Sequence, residues 1–247
     1  MFKGFLILLS FFTRVPIGRF VKYDEEKFVK GLKIYCLVGL VIGAFLSLGY
    51  FIGDFLQIFY IKGLIITIFY IIITGGIHLD GTADTSDGLF SGRTGDKVFE
   101  IMSDSRIGAF GVISLILTIM SQVILFSHID LYTLILVPVV GRTSVVVACS
   151  NMNYAKKSTG MGTLFIETIK TNELVFNTVI TLIICVFTPN YIMQIMSTII
   201  TFFCVLIIGK WIKNKISGMT GDTCGFVAEM SQIIFMFVSL VLSKLII

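Results

Sequence analysis

Residues 31–53 read GLKIYCLVGLVIGAFLSLGYFIG, an apolar run with a single charge, Lys33, near its start. The hydrocarbon core of a bilayer takes about 20 residues of helix at 1.5 Å rise, so this stretch is long enough to cross it. Six further segments read the same way: 60–77, 107–127, 131–150, 174–188, 191–211 and 226–247. Segment 174–188 is short and ends at Pro189-Asn190, which predicts a tight turn into the next span. The apolar run 2–13 is too short to span and reads as an interfacial or re-entrant helix.

Composition points to the same solvent. The 247 residues are 56% hydrophobic and 14% charged, with a mean hydropathy of +0.98, whereas soluble domains carry about 25% charged residues. An ordinary water-soluble enzyme is excluded, and 23 Phe against 3 Pro exclude a disordered or linker-rich chain. The net charge of +4 is too mild to suggest nucleic acid. None of the five cysteines forms a short C-x-x-C spacing, and four lie within or at the edge of apolar segments. Buried free thiols are therefore expected in place of a disulfide or zinc framework. The N-terminal run has no small-residue cleavage site and reads as retained structure.

The basic residues set the orientation. With the N-terminus in the cytoplasm, the cytoplasmic segments are 1–30, 78–106, 151–173 and 212–225. Counting Lys33 and Lys210, which sit at the cytoplasmic ends of their helices, all of the 19 Lys and Arg residues then fall on that side except Lys62, Lys244 and Arg142. That is the positive-inside asymmetry. The sequence thus predicts an all-α, polytopic membrane helix bundle of about seven transmembrane helices plus the short N-terminal helix. It forms one domain, 1–247, with its polar loops and its chemistry facing the cytoplasm.

The densest polar signal is GGIHLDGTADTSDG at 75–88, where Asp80, Asp84 and Asp87 recur at i, i+4 and i+7. On a helix these share one face, so three carboxylates converge and repel. A hard divalent cation relieves that repulsion, and oxygen ligands of this kind suit Mg²⁺ shared with substrate phosphates. The plain alternative is a solvated acidic loop. Asp104 could complete the metal site, or Asp104 and Arg106 could merely anchor a helix start. Arg106 suits a bidentate phosphate clamp, against simple snorkelling at the membrane edge.

Arg142 lies inside a span, where a charge is expensive and normally faces a polar cavity. Lys156-Lys157-Ser158-Thr159-Gly160 offers backbone N–H groups and ammonium charge to a phosphate, a weak and common pattern. In the last loop Gly221 lets the chain close onto a ligand, and Asp222 suits either a site or a helix N-cap. Glu229, one turn into the final helix, needs a partner at the membrane edge, which favours function. His78, two residues before Asp80, falls on the opposite helix face and reads as packing or hydrogen bonding. Arg14 reads as a basic membrane flank.

Five strings occur in order between the apolar spans: FFTRVP (11–16), GGIHLDGTADTSDGLFSG (75–92), EIMSDSRIGAFG (100–111), PVVGRT (138–143) and GMTGDTCGFVAEM (218–230). Together they closely resemble the cobalamin synthase family, the adenosylcobinamide-GDP ribazoletransferases, over essentially the whole chain. The second and third strings are the most specific. The resemblance implies a Mg²⁺-dependent transfer at the cell membrane. The 3′-hydroxyl of α-ribazole, or of its 5′-phosphate, attacks the cobinamide-bearing phosphorus of adenosylcobinamide-GDP, and GMP leaves.

On that reading Asp80, Asp84 and Asp87 are metal ligands with Asp104 as a fourth candidate, and Arg106 and Arg142 bind pyrophosphate. Gly221 and Asp222 contribute to binding. One Asp, or Glu229, accepts the proton. The partners implied are these small molecules and the lipid bilayer, with room for self-association and for other enzymes of cobalamin biosynthesis. Rival readings are CDP-alcohol phosphotransferases and polyprenyl transferases, which also place Asp clusters at cytoplasmic helix ends. A secondary transporter, a different class, would need charges at mid-membrane depth and access from both sides.

Overall fold

The computed structural model describes residues 1–156 and 160–246. Its regular elements are helical, apart from an isolated bridge between Tyr154 and Met219. In chain order they are α1 (Phe2–Phe12), α2 (Glu25–Gly31), α3 (Cys36–Leu56), α4 (Phe59–Thr74), α5 (Ile77–Phe90) and α6 (Asp96–Met102). There follow α7 (Ala109–His128), α8 (Leu131–Cys149), α9 (Met161–Thr168), α10 (Thr171–Val186), α11 (Tyr191–Ile216) and α12 (Gly221–Ile246).

Helices α3, α7, α8, α11 and α12 are each long and apolar enough to cross a membrane. Two bent pairs add up to two more crossings: α4 with α5, turned by 92°, and α9 with α10, turned by 82°. The expected spans 60–77 and 174–188 fall mainly on α4 and α10, with α5 and α9 on the far side of each bend. The bundle is multi-pass as the hydropathy requires, and α1 is the short apolar helix expected at the N-terminus. Large apolar side chains on one side of α7 (Ile113, Ile116, Leu117, Met120) and of α11 (Ile199, Phe203, Ile207) are exposed, as suits a lipid-facing surface.

Helix α8 is the central post. Nearly all its residues from Thr133 to Cys149 are buried, and α3, α10, α11 and α12 pack around it. Its first turn is capped by Asp130, whose carboxylate accepts from Tyr132 N and Thr133 N at 2.8 and 3.0 Å. Buried Asn177 of α10 satisfies the broken backbone where the chain enters α3. It accepts from Cys36 N and donates to Leu32 O, both at 2.8 Å. Inside a bilayer no water could do this. All five cysteines are free; Cys36, Cys149 and Cys185 are buried as expected, whereas Cys204, inside an apolar segment, is only partly buried and Cys224, in the stretch read as the last loop, is buried.

Helix contacts here rest on small residues. Lipid tails are as apolar as the helix faces, so burial does not drive helices together and close backbone approach must. Gly39 and Gly43 of α3 meet the α8 backbone around Pro138 and Ile135. Gly81 of α5 and Gly225 of α12 let those two helices touch: a Cβ on Gly81 would lie 2.7 Å from Asp222 O, and one on Gly225 would lie 3.1 Å from His78 O. Replacing Gly81 with Ala is therefore expected to cost roughly 1–3 kcal/mol through forced separation of two backbones. Gly225→Ala, with more room, should cost less. Thermal unfolding in detergent checks the order; a Gly81→Ala protein as stable as the parent would show that the α5–α12 contact is not tight.

Candidate active site

The turn between α4 and α5 places the site. Gly75 and Gly76 have φ of +65° and +72°, a left-handed conformation that side-chain-bearing residues rarely adopt, and they turn the chain by nearly a right angle. Beyond them α5 is regular, so Asp80, Asp84 and Asp87 share one helix face as their spacing predicts. Arg14 closes the outside of the turn. Its N–H donates to Ile73 O at 2.7 Å, and its guanidinium occupies the space that a Cβ on Gly75 would need.

From the other side comes the start of α12. Thr220 and Thr223 cap it reciprocally: Thr220 N donates to Thr223 Oγ1 at 2.8 Å, and Thr223 N to Thr220 Oγ1 at 3.2 Å. The N-cap reading of Asp222 thus gives way to Thr220, and the Asp222 carboxylate is left to pair with Lys156 Nζ at 3.1 Å. Asp84 feels Asp80, Asp222, Lys156 and Asp87. Its partial burial, then repulsion from Asp80 and Asp222, raises its carboxyl to about 6; Lys156 offsets part of this.

Two cavities meet at Asp80. The larger, about 650 Å³, is bordered by Arg14, Thr74, Asp80, Asp84, Asp104 and Ser105. The smaller, about 190 Å³, is lined by aromatic rings together with His78, Asp80, Gly221 and Asp222. Asp80 is the carboxylate they share.

The remaining sequence candidates lie elsewhere or are otherwise engaged. Asp87 receives Gly108 N and Gly111 N at 2.7 and 2.8 Å, so it anchors the start of α7. Asp104 and Arg106 hold each other in a bidentate pair with contacts of 2.8 and 3.1 Å, and those hydrogen bonds keep the Asp104 carboxyl at about 2. Arg142 is fully buried in α8, faces Tyr35, Tyr70 and Glu229, and lines neither cavity. Glu229 is also fully buried, and its oxygens accept from Tyr70 Oη and Gln122 Nε2, each at 2.6 Å. Lys157, Ser158 and Thr159 of the basic loop lie outside the described residues.

Arg14 and Lys156 are the residues that sequence reasoning undervalued. A signal for Arg14 was present, since it sits in one of the ordered strings, but a basic flank explains an isolated arginine equally well.

The carboxylates of α5 and α12 fit a hard divalent cation of a particular kind. Among the described residues no three Asp, Glu, His or Cys groups already stand in ligating positions. Mg²⁺ commonly takes one or two carboxylates and completes its shell with water and substrate phosphates. Asp80, Asp84 and Asp222 fit that partial set; they do not fit an all-protein cage.

The chain is similar to known proteins over nearly its full length. The family model described as cobalamin-5-phosphate synthase matches residues 4–240. Proteins named adenosylcobinamide-GDP ribazoletransferase match from Alkaliphilus oremlandii (39% identical, 99% of this chain and 100% of the relative) and Fusobacterium nucleatum (38%, 97% and 98%). Another from Clostridium novyi is 34% identical over 95% of each chain. No solved structure matches.

The different employment of the three α5 carboxylates makes a test of its own. Asp87→Ala strips two N–H groups of a charged acceptor and is expected to lower stability by roughly 1.5–3 kcal/mol. Asp84→Asn, by removing a repelled carboxylate, should leave stability unchanged or slightly raised at pH 8. Thermal unfolding of both variants decides; equal destabilisation would put Asp84 in the scaffold as well.

Proposed function

The chain belongs to the cobalamin-5-phosphate synthase family, and from that premise we propose that it is a Mg²⁺-dependent adenosylcobinamide-GDP ribazoletransferase. The 3′-hydroxyl oxygen of α-ribazole, or of its 5′-phosphate, bonds to the cobinamide-bearing phosphorus. The bond from that phosphorus to the bridging oxygen breaks, and GMP leaves with that oxygen. The hydroxyl proton passes to a carboxylate, and adenosylcobalamin or its 5′-phosphate results. The observation that carries the reading is Asp80's position on the wall between two cavities, with Asp84 and Asp222 beside it.

Phosphoryl transfer asks the protein mainly for position and charge. Asp80, Asp84 and Asp222 would hold Mg²⁺, which supplies charge neutralisation at the diphosphate. Arg14, packed on the Gly75 turn at the edge of the larger cavity, binds the pyrophosphate. Lys156 holds Asp222 in place. Asp87 sets the register of α5 on α7. Glu229, bonded to Tyr70 and Gln122, and Arg142 are both buried and line neither cavity, so their part is to support α5 and not to touch phosphate. On this reading the whole chain is one catalytic unit, with its N-terminus and site facing the cytoplasm at the cell membrane; the excess of Lys and Arg on that side supports the orientation.

The direct experiment supplies the protein in nanodiscs with adenosylcobinamide-GDP, α-ribazole and Mg²⁺. GMP and cobalamin are expected in equal amounts, with both lost on adding EDTA. Absence of both, with turnover of a CDP-alcohol instead, would overturn the reading. Arg14→Ala should lower kcat/KM at least tenfold while leaving insertion intact.

The raised Asp84 carboxyl adds a pH test. It holds a proton below about 6 and is ionised above, and cation binding requires the ionised form. The Mg²⁺ concentration giving half-maximal rate should therefore rise as pH is lowered through 6, approaching about tenfold per pH unit. Stability moves the other way: a raised carboxyl favours the protonated fold, so metal-free stability falls as pH rises from about 4 to about 6. A Mg²⁺ requirement that is flat from pH 8 to 5 would remove Asp84 from the metal site.

A further inference from the structure

The smaller cavity has a lining that suits neither phosphate nor metal over most of its wall. Phe12 of α1, Tyr35 at the entry to α3 and Phe165 of α9 form it, with ring centroids 4.9 Å apart for Phe12–Tyr35, 5.8 Å for Phe12–Phe165 and 5.3 Å for Tyr35–Phe165. His78 of α5 adds a fourth ring, 6.1 Å from Phe12. Aromatic rings packed in this way are ordinary core, except that here they leave a space of about 190 Å³.

We propose that this space is the subsite for the flat, weakly polar heterocyclic base of the nucleoside acceptor; the proposal rests on the transfer reaction above. Size is the first argument. Sites for whole drug-sized ligands run to roughly 300–1,000 Å³, so this one admits a bicyclic ring and not a nucleotide or a corrinoid. Polarity is the second. His78 is 5% exposed, and its Nδ1 has no hydrogen-bond partner, lying 4.0 Å from Glu229 Oε1. Leaving a buried polar atom unpaired is costly, and this nitrogen is closed off from the cavity, so the wall offers a bound base stacking surface and few hydrogen-bond partners.

Guanine, the other flat base among the substrates, fares worse. Its edge carries several donors and acceptors, and against phenyl rings each buried one left unpaired is costly. The cavity therefore selects the less polar base. Placement is the third argument: Asp80 and Asp222 also border this cavity, so a sugar attached to a base seated there meets the carboxylates.

The test uses the full chain in nanodiscs and benzimidazole as probe, followed by saturation-transfer NMR, alongside KM for each substrate. Benzimidazole is expected to bind saturably, to compete with α-ribazole and not with GMP, and to bind at least tenfold more weakly to Phe165→Leu. The same variant should raise KM for α-ribazole about tenfold and leave KM for adenosylcobinamide-GDP unchanged. Phe12→Leu, at a half-buried ring, gives the same readout should Phe165→Leu fail to fold. Equal benzimidazole binding in parent and variants, or displacement by GMP, would overturn the subsite while leaving the transfer reaction standing. Aromatic-dependent benzimidazole binding in a protein that turns over neither nucleoside would retain the subsite and sink the transferase reading.

Discussion

The backbone of α5 rests on the backbone of α12, glycine against glycine, and the site follows from that contact. A Cβ at Gly81 would stand 2.7 Å from the carbonyl of Asp222, so the helices are as close as side-chain-free residues allow. Such closeness is the usual source of helix association in a bilayer, where burial of apolar surface gives no advantage over lipid. Here it also has a chemical consequence. Asp80 and Asp84 on one helix are brought to Asp222 on the other, and partial burial, added to by the repulsion between them, raises the Asp84 carboxyl. Two fixtures keep α5 from relieving that repulsion by rotating away: the Gly75–Gly76 turn braced by Arg14, and the Asp87 carboxylate bonded to the first N–H groups of α7.

Beneath this polar helix lies a second polar group with a different purpose. Glu229 accepts from Tyr70 and Gln122, while Gln232 donates to Tyr70 Oη at 2.9 Å, and Arg142 stands close enough to feel Glu229 and both neighbouring tyrosines. Among the described residues Arg142 makes no ion pair with Glu229, and its three guanidinium nitrogens have no hydrogen-bond partner, so it adds charge at this depth without completing the network. The hydrogen bonds draw on α4, α7 and α12, and so fix the relative rotation of helices that carry and support α5. A fully bonded Glu229 is a poor acceptor for a substrate proton; a carboxylate on a cavity wall is a better one.

The spans were legible because hydropathy is a one-dimensional signal, and α3, α7 and α8 fall close to where it puts them. The i, i+4, i+7 aspartates were legible for the same reason: their geometry needs nothing beyond a helix. The bends were not. A 92° turn at two glycines leaves composition almost untouched, so 60–77 and the polar stretch after it read as span and loop when they are two helices. Roles set by distant partners were hidden too. Asp87 takes its N–H donors from Gly108 and Gly111, and Asp222 its cation from Lys156, 66 positions away. Spacing cannot distinguish three equivalent carboxylates from two exposed to a cavity and one holding up a neighbouring helix. The start of α12 was misjudged because threonines, not the more obvious aspartate, cap it.

On the proposed reading, the enzyme must bring a weakly polar ring and a highly charged diphosphate within bonding distance of each other. One cavity cannot serve both: walls dry enough to hold the ring would leave phosphate oxygens unpaired, and walls charged enough for phosphate would gain nothing from the ring. The fold separates the two environments by the width of one helix. On one side of α5 lie phenyl rings contributed by α1 and α9, together with Asp222; on the other lie Arg14, Asp84 and Asp104. Only Asp80 borders both among these acidic groups, because it sits one turn into α5, where the helix has just left the Gly76 turn. The short N-terminal helix therefore does more than rest against the bundle. Phe12 and Arg14, two residues apart at its end, face different cavities, so this single segment supplies a wall to each.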